Sequence, residues 1–443
     1  MGKRSIEERI QEEAHFLLEE FRNTKQNPFD PTFFLSRAVS NVICSIVFGN
    51  RFEYDDKKFL TLLELINDNF RIISSPWGTL YNIFPGFMDY LPGPHHRIFR
   101  NFEKMKTFVM EHLRKHEETF QPDCPRDLID CFLTKMKKEK DDPESNFNMD
   151  TMVMTTLNLF FGGTETVSTT LRYGILILMK YPHITGIDTR TTRGYLCHFP
   201  PPPPAVFWET HRSQETAGTS GNTQSELCMH SREPGSEAAR LHFLIPLPKM
   251  AVAAPESREI DRFRVPTSLA PWTEKVHREI DKVIGRNRCP AVEDRSKMPY
   301  TDAVIHEIQR FTSIIPLSLP HCVIRDTDFR GYFLPQGTEV IPVLTSVHTD
   351  PEKFKEPHTF NPHNFLDENH RFKANDAFMP FSTGKRICLG ESLARMELFL
   401  FFTTFLQNFI FKPTIHPDMI DLTPSTSGVG NLPPIYEFSV IPR

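Results

Sequence analysis

From Ile6 to Pro182 apolar residues recur at helical spacing, and the chain reads as a succession of amphipathic helices. One is expected from about Ser5 to Asn23, with Ile6, Ile10 and Leu17–Leu18 on its apolar side. Another begins after Pro31, where Phe33–Phe34, Val39 and Ile43 keep the period. Trp77 to Pro94 is broken by Gly and Pro yet rich in aromatic residues. It reads as a connecting loop packed on the core, with a mobile roof over a pocket as the sharper alternative. Asp150 to Lys180 predicts a helix of about 31 residues, ~47 Å long at 1.5 Å per residue. Being apolar on nearly all sides, it is expected to run through the middle of a large domain. Gly162–Gly163 interrupt it, and Tyr181–Pro182 ends it, because the residue before Pro avoids the helical region.

Residues 186–272 differ in kind. Five consecutive prolines, Pro200 to Pro204, precede polar low-complexity sequence such as SQETAGTSGNTQSEL, with no sustained period. Disorder is the expected state. Cys197, His198, Cys228 and His230 lie there, at spacings that match no metal site well. Helical sequence resumes at Thr273 with EKVHREIDKVIG, and a further helix is expected over Thr301–Phe311. PHCVIRDTDF and the alternating EVIPVLTSV read as strands. A last helix from Leu389 to about Asn408 precedes strand-and-turn sequence to Arg443. The division is therefore 1–185, 186–272 and 273–443, and the fold class is mainly α with a smaller β-rich part, α+β.

Composition changes this picture little. The 443 residues, 39% hydrophobic and 24% charged, are ordinary globular usage and could build a sizeable core. Phe is frequent, at 39 against 9 Tyr and 3 Trp. Core packing explains most of these rings, and an apolar pocket is a second use. A net charge of −5 argues against nucleic-acid binding, which needs a basic field. The eight cysteines form no CxxC pair, so neither a zinc site nor a disulfide framework is suggested, and a reducing compartment is the simple reading. No run reaches the ~18 apolar residues of a membrane-spanning helix, and the charged N-terminus is unlike a signal peptide. The chain reads as soluble.

Candidate chemistry concentrates in three places. The first is Phe381-Ser-Thr-Gly384-Lys-Arg386-Ile-Cys388-Leu-Gly390. A thiolate that ligates iron needs an electropositive setting and a close backbone. Gly384 and Gly390 permit tight turns, Cys388 begins a long helix whose amides favour an anionic sulfur, and Arg386 supplies a cation. A lone buried cysteine would be structural; here five positions of a ten-residue pattern occur together. The second is Glu307-Ile-Gln-Arg310, acid and base three apart on one helical face. Alone it would be a surface ion pair worth ~0–1 kcal/mol. The third is Gly162-Gly163-Thr164-Glu165-Thr166. Two mid-helix glycines cost roughly 1 kcal/mol each relative to Ala. They make either a packing notch or a widened groove in which Glu165 and Thr166 relay protons. Thr166 could instead bond back to its own helix carbonyl.

With these motifs, Gly2–Thr185 and Thr273–Arg443 resemble the cytochromes P-450, in particular the microsomal, drug-metabolising family two. The resemblance implies a triangular helical fold and haem b (iron protoporphyrin IX), with Cys388 as the axial iron ligand. Phe381, Gly384, Arg386 and Gly390 would contact the haem, and His321 would bond a propionate. Glu165 and Thr166 become the oxygen-activating pair, and Glu307–Arg310 a structural lock behind the haem. The lock's third member in the family is basic; here Phe360-Asn-Pro-His-Asn364-Phe365 places neutral Asn364 there, with His363 one residue displaced. Asn158, Phe161, Ile315, Leu319 and Val429 fall near a substrate. The implied activity is insertion of one atom of O2 into small lipophilic substrates: xenobiotics, steroids or fatty acids. Electrons would come from NADPH through NADPH-cytochrome P-450 reductase, with cytochrome b5 as a further donor and Lys385–Arg386 as a docking point. The implied location is the cytoplasmic face of the endoplasmic reticulum membrane.

Two departures shape the alternatives. The family's membrane anchor, early strands and the helix carrying a Trp–Arg propionate clamp have no counterpart in this chain. Residues 186–272 split KYPHIT from EKVHREID, which run on directly in relatives, as translated intron or an erroneous gene model would. A non-catalytic truncated or mis-spliced product that does not hold haem is therefore the second reading. A haem-thiolate isomerase or peroxygenase is the third.

Overall fold

A computed structural model of the chain describes residues 3–181 and 275–443. The Cys197, His198, Cys228 and His230 group and the expected disorder of 186–272 lie outside the described residues.

The described helices are α1 (Lys3–Asn23), α2 (Thr32–Val47), α3 (Lys57–Ile73), α4 (Pro76–Ile83), α5 (Pro85–Met88) and α6 (His95–Thr119). They continue with α7 (Leu128–Lys138), α8 (Met149–Lys180), α9 (Lys275–Val283), α10 (Pro299–Thr312), α11 (Leu344–His348) and α12 (Glu391–Asn408). Side-chain caps start several of them. Asp56 accepts from the Lys58 and Phe59 amides at α3, Asp127 from Asp130 at α7, and Asn148 from Thr151 at α8.

α8 is the central helix, as its apolar run predicts, and it stays helical through Gly162–Gly163 instead of being interrupted. Every residue from Val167 to Met179 is buried. Around that half lies the main core, where Phe21, Phe399, Phe401, Phe405, Phe409 and Phe438 are all buried, so much of the Phe excess is core packing. The Phe21 ring lies tilted against Phe405 at 5.4 Å and Phe409 at 6.0 Å. A second core joins α2, α3, α6 and α7 to the first half of α8.

Two expectations need correction. Trp77 to Pro94 is not a loop packed on the core. Pro76 and Pro85 each take the first turn of a helix, where a missing N–H costs nothing, and make α4 and α5. Their rings stay outside: Trp77, Phe84, Phe87 and Tyr90 are exposed. The alternating run at Glu339 is a strand only over Glu339–Val340; Pro342 offers no ladder donor, and Leu344–His348 turns into α11.

The β part is small. The strands are β1 (His321–Cys322), β2 (Thr327–Phe329), β3 (Tyr332–Leu334), β4 (Glu339–Val340), β5 (Phe409–Pro413), β6 (Thr426–Ser427), β7 (Asn431–Leu432) and β8 (Phe438–Pro442). They pair antiparallel as β1–β4, β2–β3, β5–β8 and β6–β7. Cys44, Cys124, Cys131, Cys289, Cys322 and Cys388 are free thiols. Among the described residues, no helix is long and apolar enough to cross a membrane.

Candidate active site

The segment Phe381–Gly390 is a tight, largely exposed loop ahead of α12. The Cys388 amide donates to the Phe381 carbonyl at 2.9 Å and closes it. Gly384 adopts φ +74°, a left-handed conformation that suits a residue without Cβ. α12 begins at Glu391 with Gly390 at its N-cap, so Cys388 precedes the helix and does not start it. The sulfur still lies by the helix entrance: a Cβ added to Gly390 would sit 3.8 Å from Cys388 Sγ. The Cys388 thiol is exposed, and beside it Leu389 is 96% exposed, an apolar side chain with almost no protein cover. Arg386 and Lys385 are exposed and make no ion pair among the described residues.

The loop is held from behind. Arg395, on α12, lies 5.1 Å over the Phe381 ring and donates to Glu391 at 2.8 Å and to His306 Nε2 at 3.1 Å. The Met379 amide donates to His348 Nε2 at 3.2 Å, and His348 Nδ1 meets the Ser313 hydroxyl at 3.1 Å. An accepting Nε2 requires a neutral ring, and burial, aided by the Arg310 charge, lowers the His348 pKa to about 4. Arg310 in turn donates to the carbonyls of His348 and Pro357, both at 2.8 Å.

Arg310 and Glu307 form a two-bond pair, each contact 2.7 Å, with both side chains fully buried. The surface ion pair expected from the bare motif is thereby corrected. Glu307 also accepts from the Asn361 amide at 2.8 Å and from Asn364 Nδ2 at 3.4 Å. Asn364 therefore reaches the pair although it carries no charge. Sequence reasoning missed His348 and Arg395, since no local motif announces a histidine that tethers a backbone amide 31 residues away.

On α8, Met154, Asn158 and Gly162 are exposed at intervals of four, with Phe161 and Thr166 half-buried beside them. This is an open stripe on a helix buried elsewhere. The two glycines differ. A Cβ on Gly162 would meet nothing within 4 Å, whereas one on Gly163 would lie 2.7 Å from Ile43 Cδ1. Gly163 is the packing notch and Gly162 opens the groove. Thr166 Oγ1 donates to the Gly162 carbonyl at 2.7 Å, the back-bonded arrangement, and its lone pairs remain as acceptors. Glu165 is wholly buried, approached by Asn67 Nδ2 at 3.4 Å. Burial raises its pKa, opposed by the charge of Arg172 and by the Asn67 contact. No hydrogen bond joins Glu165 to Thr166 among the described residues.

The candidate substrate residues converge in part. Phe161 is 6.0 Å from Phe70 of α3, and a Cβ on Gly430 would lie 2.6 Å from the Phe70 ring. Asn431 donates its amide to Ile314 O at 2.9 Å and its side chain to Thr312 and Ser313. The turn carrying Val429 is thus tied both to α3 and to the segment carrying Ile315. Leu319, 64% exposed, and half-buried His321 lie further along that segment. Phe70 and Asn67 were not foreseen, because only tertiary packing brings α3 to α8.

A flat apolar macrocycle held through sulfur requires an exposed thiol, backbone without side-chain obstruction, and a free cation for its carboxylates. Cys388, Gly390, Gly162 and Arg386 meet those demands, so the residues present fit a haem. The mainly helical fold and this loop have the features of the haem-thiolate class. The chain belongs to the cytochrome P450 family: the family model matches residues 1–186 and 272–440.

Among similar proteins is cytochrome P450 2F2 of Mus musculus, 49% identical over 433 residues, which are 98% of this chain and 70% of the relative. Cytochrome P450 2F3 of Capra hircus is 48% identical over 443 residues, 100% of this chain and 72% of the relative. Cytochrome P450 2G1 of Oryctolagus cuniculus is also 48% identical, with the same coverage. The chain is accordingly a family-two cytochrome P450, an enzyme of the monooxygenase class with haem as the cofactor of its family.

Proposed function

We propose that this chain inserts one atom of O2 into small lipophilic substrates, xenobiotics first among them, with electrons from NADPH through NADPH-cytochrome P-450 reductase. The observation that carries the reading is the exposed Cys388 thiol, in a loop closed on Phe381 and set against Gly390. Haem, when bound, supplies the binding and cleavage of dioxygen. Cys388 Sγ would ligate the iron, Gly384 and Gly390 allow the backbone close, Phe381 packs beside the loop, and Arg386 and His321 would hold the propionates. Asn158, Phe161, Ile315, Leu319 and Val429 would bind and orient the substrate and exclude water.

Thr166 Oγ1, anchored to the Gly162 carbonyl, offers a lone pair to the groove and can hold a proton in transit. Glu165, with its pKa raised by burial, retains a proton to higher pH than an ordinary carboxyl and would resupply it after a side-chain swing. Glu307 and Arg310 hold the rear of the site. Exposed Lys385 and Arg386 suit an acidic reductase or cytochrome b5 surface. Location at the cytoplasmic face of the endoplasmic reticulum membrane belongs to the same reading. The family match stops at 186 and resumes at 272, which supports reading the stretch between as an insertion in one P450 domain.

The test is the carbon-monoxide difference spectrum of the reduced chain. Cys388→Ser is expected to abolish the far-red-shifted Soret band, since a hydroxyl cannot replace thiolate donation. A variant that keeps the band removes Cys388 as ligand, and a parent chain that takes up no haem supports the non-catalytic reading. Thr166→Ala is expected to divert reducing equivalents to peroxide with substrate affinity little changed. Unaltered coupling of NADPH use to product would count against the relay.

A further inference from the structure

Cys388 is bonded through its backbone on both sides, and both partners lead to one side chain. Its amide donates to the Phe381 carbonyl at 2.9 Å, and its carbonyl accepts from the Glu391 amide at 3.3 Å. The Phe381 ring lies 5.1 Å from the Arg395 guanidinium, which also donates Nε to the Glu391 carboxylate at 2.8 Å. A single guanidinium therefore grips the loop at both ends. Its planar fork can stack on a ring and bond a carboxylate at once, which an ammonium cannot.

Arg395 is itself aimed from α10. Its Nη1 donates to His306 Nε2 at 3.1 Å. His306 is buried, its ring centroid 4.6 Å from Phe372, 4.8 Å from Phe378 and 5.4 Å from Phe365. Its Nδ1 faces two acceptors, the Asp302 carbonyl at 2.7 Å and Asp302 Oδ1 at 3.2 Å. Nδ1 therefore carries the proton, and Nε2 offers the lone pair that Arg395 takes. Asp302 is fixed in turn by Arg295 Nε at 2.8 Å. The Phe378 ring belongs to both neighbours, since Arg395 lies 5.8 Å over it.

Packing alone would put a fourth phenylalanine in this aromatic cage. The nitrogen edge is accounted for by the guanidinium that it orients. The arrangement is separate from the Glu307–Arg310 lock, whose direct hydrogen bonds go to residues 348–364 and not to the loop.

We propose that His306 is a positioning residue for the Cys388 sulfur: it sets Arg395, and Arg395 clamps both backbone partners of the cysteine. The inference rests on the reading of Cys388 as the haem ligand. Partners one shell out orient a metal ligand in this way, and a sulfur on a short side chain follows its backbone closely.

Hydrogen–deuterium exchange at the Cys388 amide, measured by mass spectrometry on the haem-free full chain, tests the clamp. His306→Phe keeps a ring in the cage and removes the acceptor, and should speed that exchange about tenfold. His306→Gln places an acceptor near the former Nε2 and should restore the rate to within about threefold of the parent. Arg395→Lys keeps the charge without the fork and should behave like His306→Phe. Amides from Val167 to Met179, in the core of α8, should exchange alike in all four proteins. A histidine that only packs gives the opposite order, with phenylalanine the better replacement. That order, equal rates in the two His306 variants, or equal acceleration in α8 would each overturn the proposal.

The reduced carbon-monoxide spectrum of the haem-loaded chain separates the clamp from the reading beneath it. The parent is expected to show the thiolate-type band, and His306→Phe a smaller share of it than His306→Gln. A parent that takes up haem without that band would remove Cys388 as ligand, whatever the exchange order. A parent with the band and the reverse order of variants would remove the positioning role alone.

Discussion

Behind the cysteine loop the buried Glu307–Arg310 pair is fully partnered, although Glu397 Oε1, buried on α12, has no hydrogen-bond partner among the described residues; in front of the loop few polar groups have one. Glu307 and Arg310 are completely buried, and between them they satisfy two backbone carbonyls, a backbone amide and Asn364. In front, Cys388 and Arg386 are exposed, Leu389 has almost no cover, and Gly162 faces open space. Burying a charge is tolerable only when the protein itself completes its hydrogen bonds. The Glu307–Arg310 pair is therefore a closed system whose work is rigidity. The front is a surface whose complement comes from outside the polypeptide.

The comparison breaks most easily at Arg310. Arg310→Met leaves Glu307 buried without its counter-charge and should cost about 3–5 kcal/mol of unfolding free energy. Arg386→Met, on an exposed cation with no ion pair, should stay within about 0.5 kcal/mol. Urea titration of the haem-free chain measures both. Comparable losses would dissolve the distinction between a self-satisfied rear and an open front.

His348 sharpens it, because it joins the rear pair to the loop through Met379. Its folded pKa, about 4, lies below the ordinary 6.5, so the neutral ring is the one the fold prefers. Its contribution is complete above pH 6.5 and is lost as pH falls toward 4, on the order of 2–3 kcal/mol by the lower limit. His348→Gln keeps an oxygen for the Met379 amide and removes the titration. Stability curves from pH 7 to 4 should be flatter in the variant than in the parent. Identical slopes would mean that His348 is not what couples the rear to acid.

These contacts explain how much of the molecule could be read from sequence. The period of α8 and the Gly-rich cysteine loop are local patterns; α8 spans Met149–Lys180, and the loop runs directly into α12, which starts at Glu391, two residues later than the expected Leu389. The Glu307–Arg310 spacing is local too, but its burial is not, because α10 is covered by segments more than 35 residues later in the chain. His348, Asn67 and Phe70 carry no motif at all. They matter only through what tertiary packing sets beside them. The α4–α5 segment misled for the opposite reason: proline punctuates loops, yet at a first helical position it starts a helix.

The smallest effects divide the two glycines of α8, one on each side of the comparison. Replacing a mid-helix Gly by Ala should gain up to about 1 kcal/mol from the backbone alone. At Gly162 nothing stands within 4 Å of the new methyl, so Gly162→Ala should realise most of that gain in the haem-free chain. At Gly163 the methyl would lie 2.7 Å from Ile43 Cδ1, so Ile43 must move and the gain is offset. Adding Ile43→Val removes the obstructing Cδ1 and should recover part of it, a non-additivity that a double-mutant cycle reads directly. In the haem-loaded protein the order should invert for ligand entry. Gly162→Ala puts a methyl into the open groove and should slow carbon-monoxide association measured by flash photolysis. Gly163→Ala, turned toward α2, should leave that rate unchanged. Equal slowing in both variants would place the two glycines on one surface, contrary to the contacts that separate them.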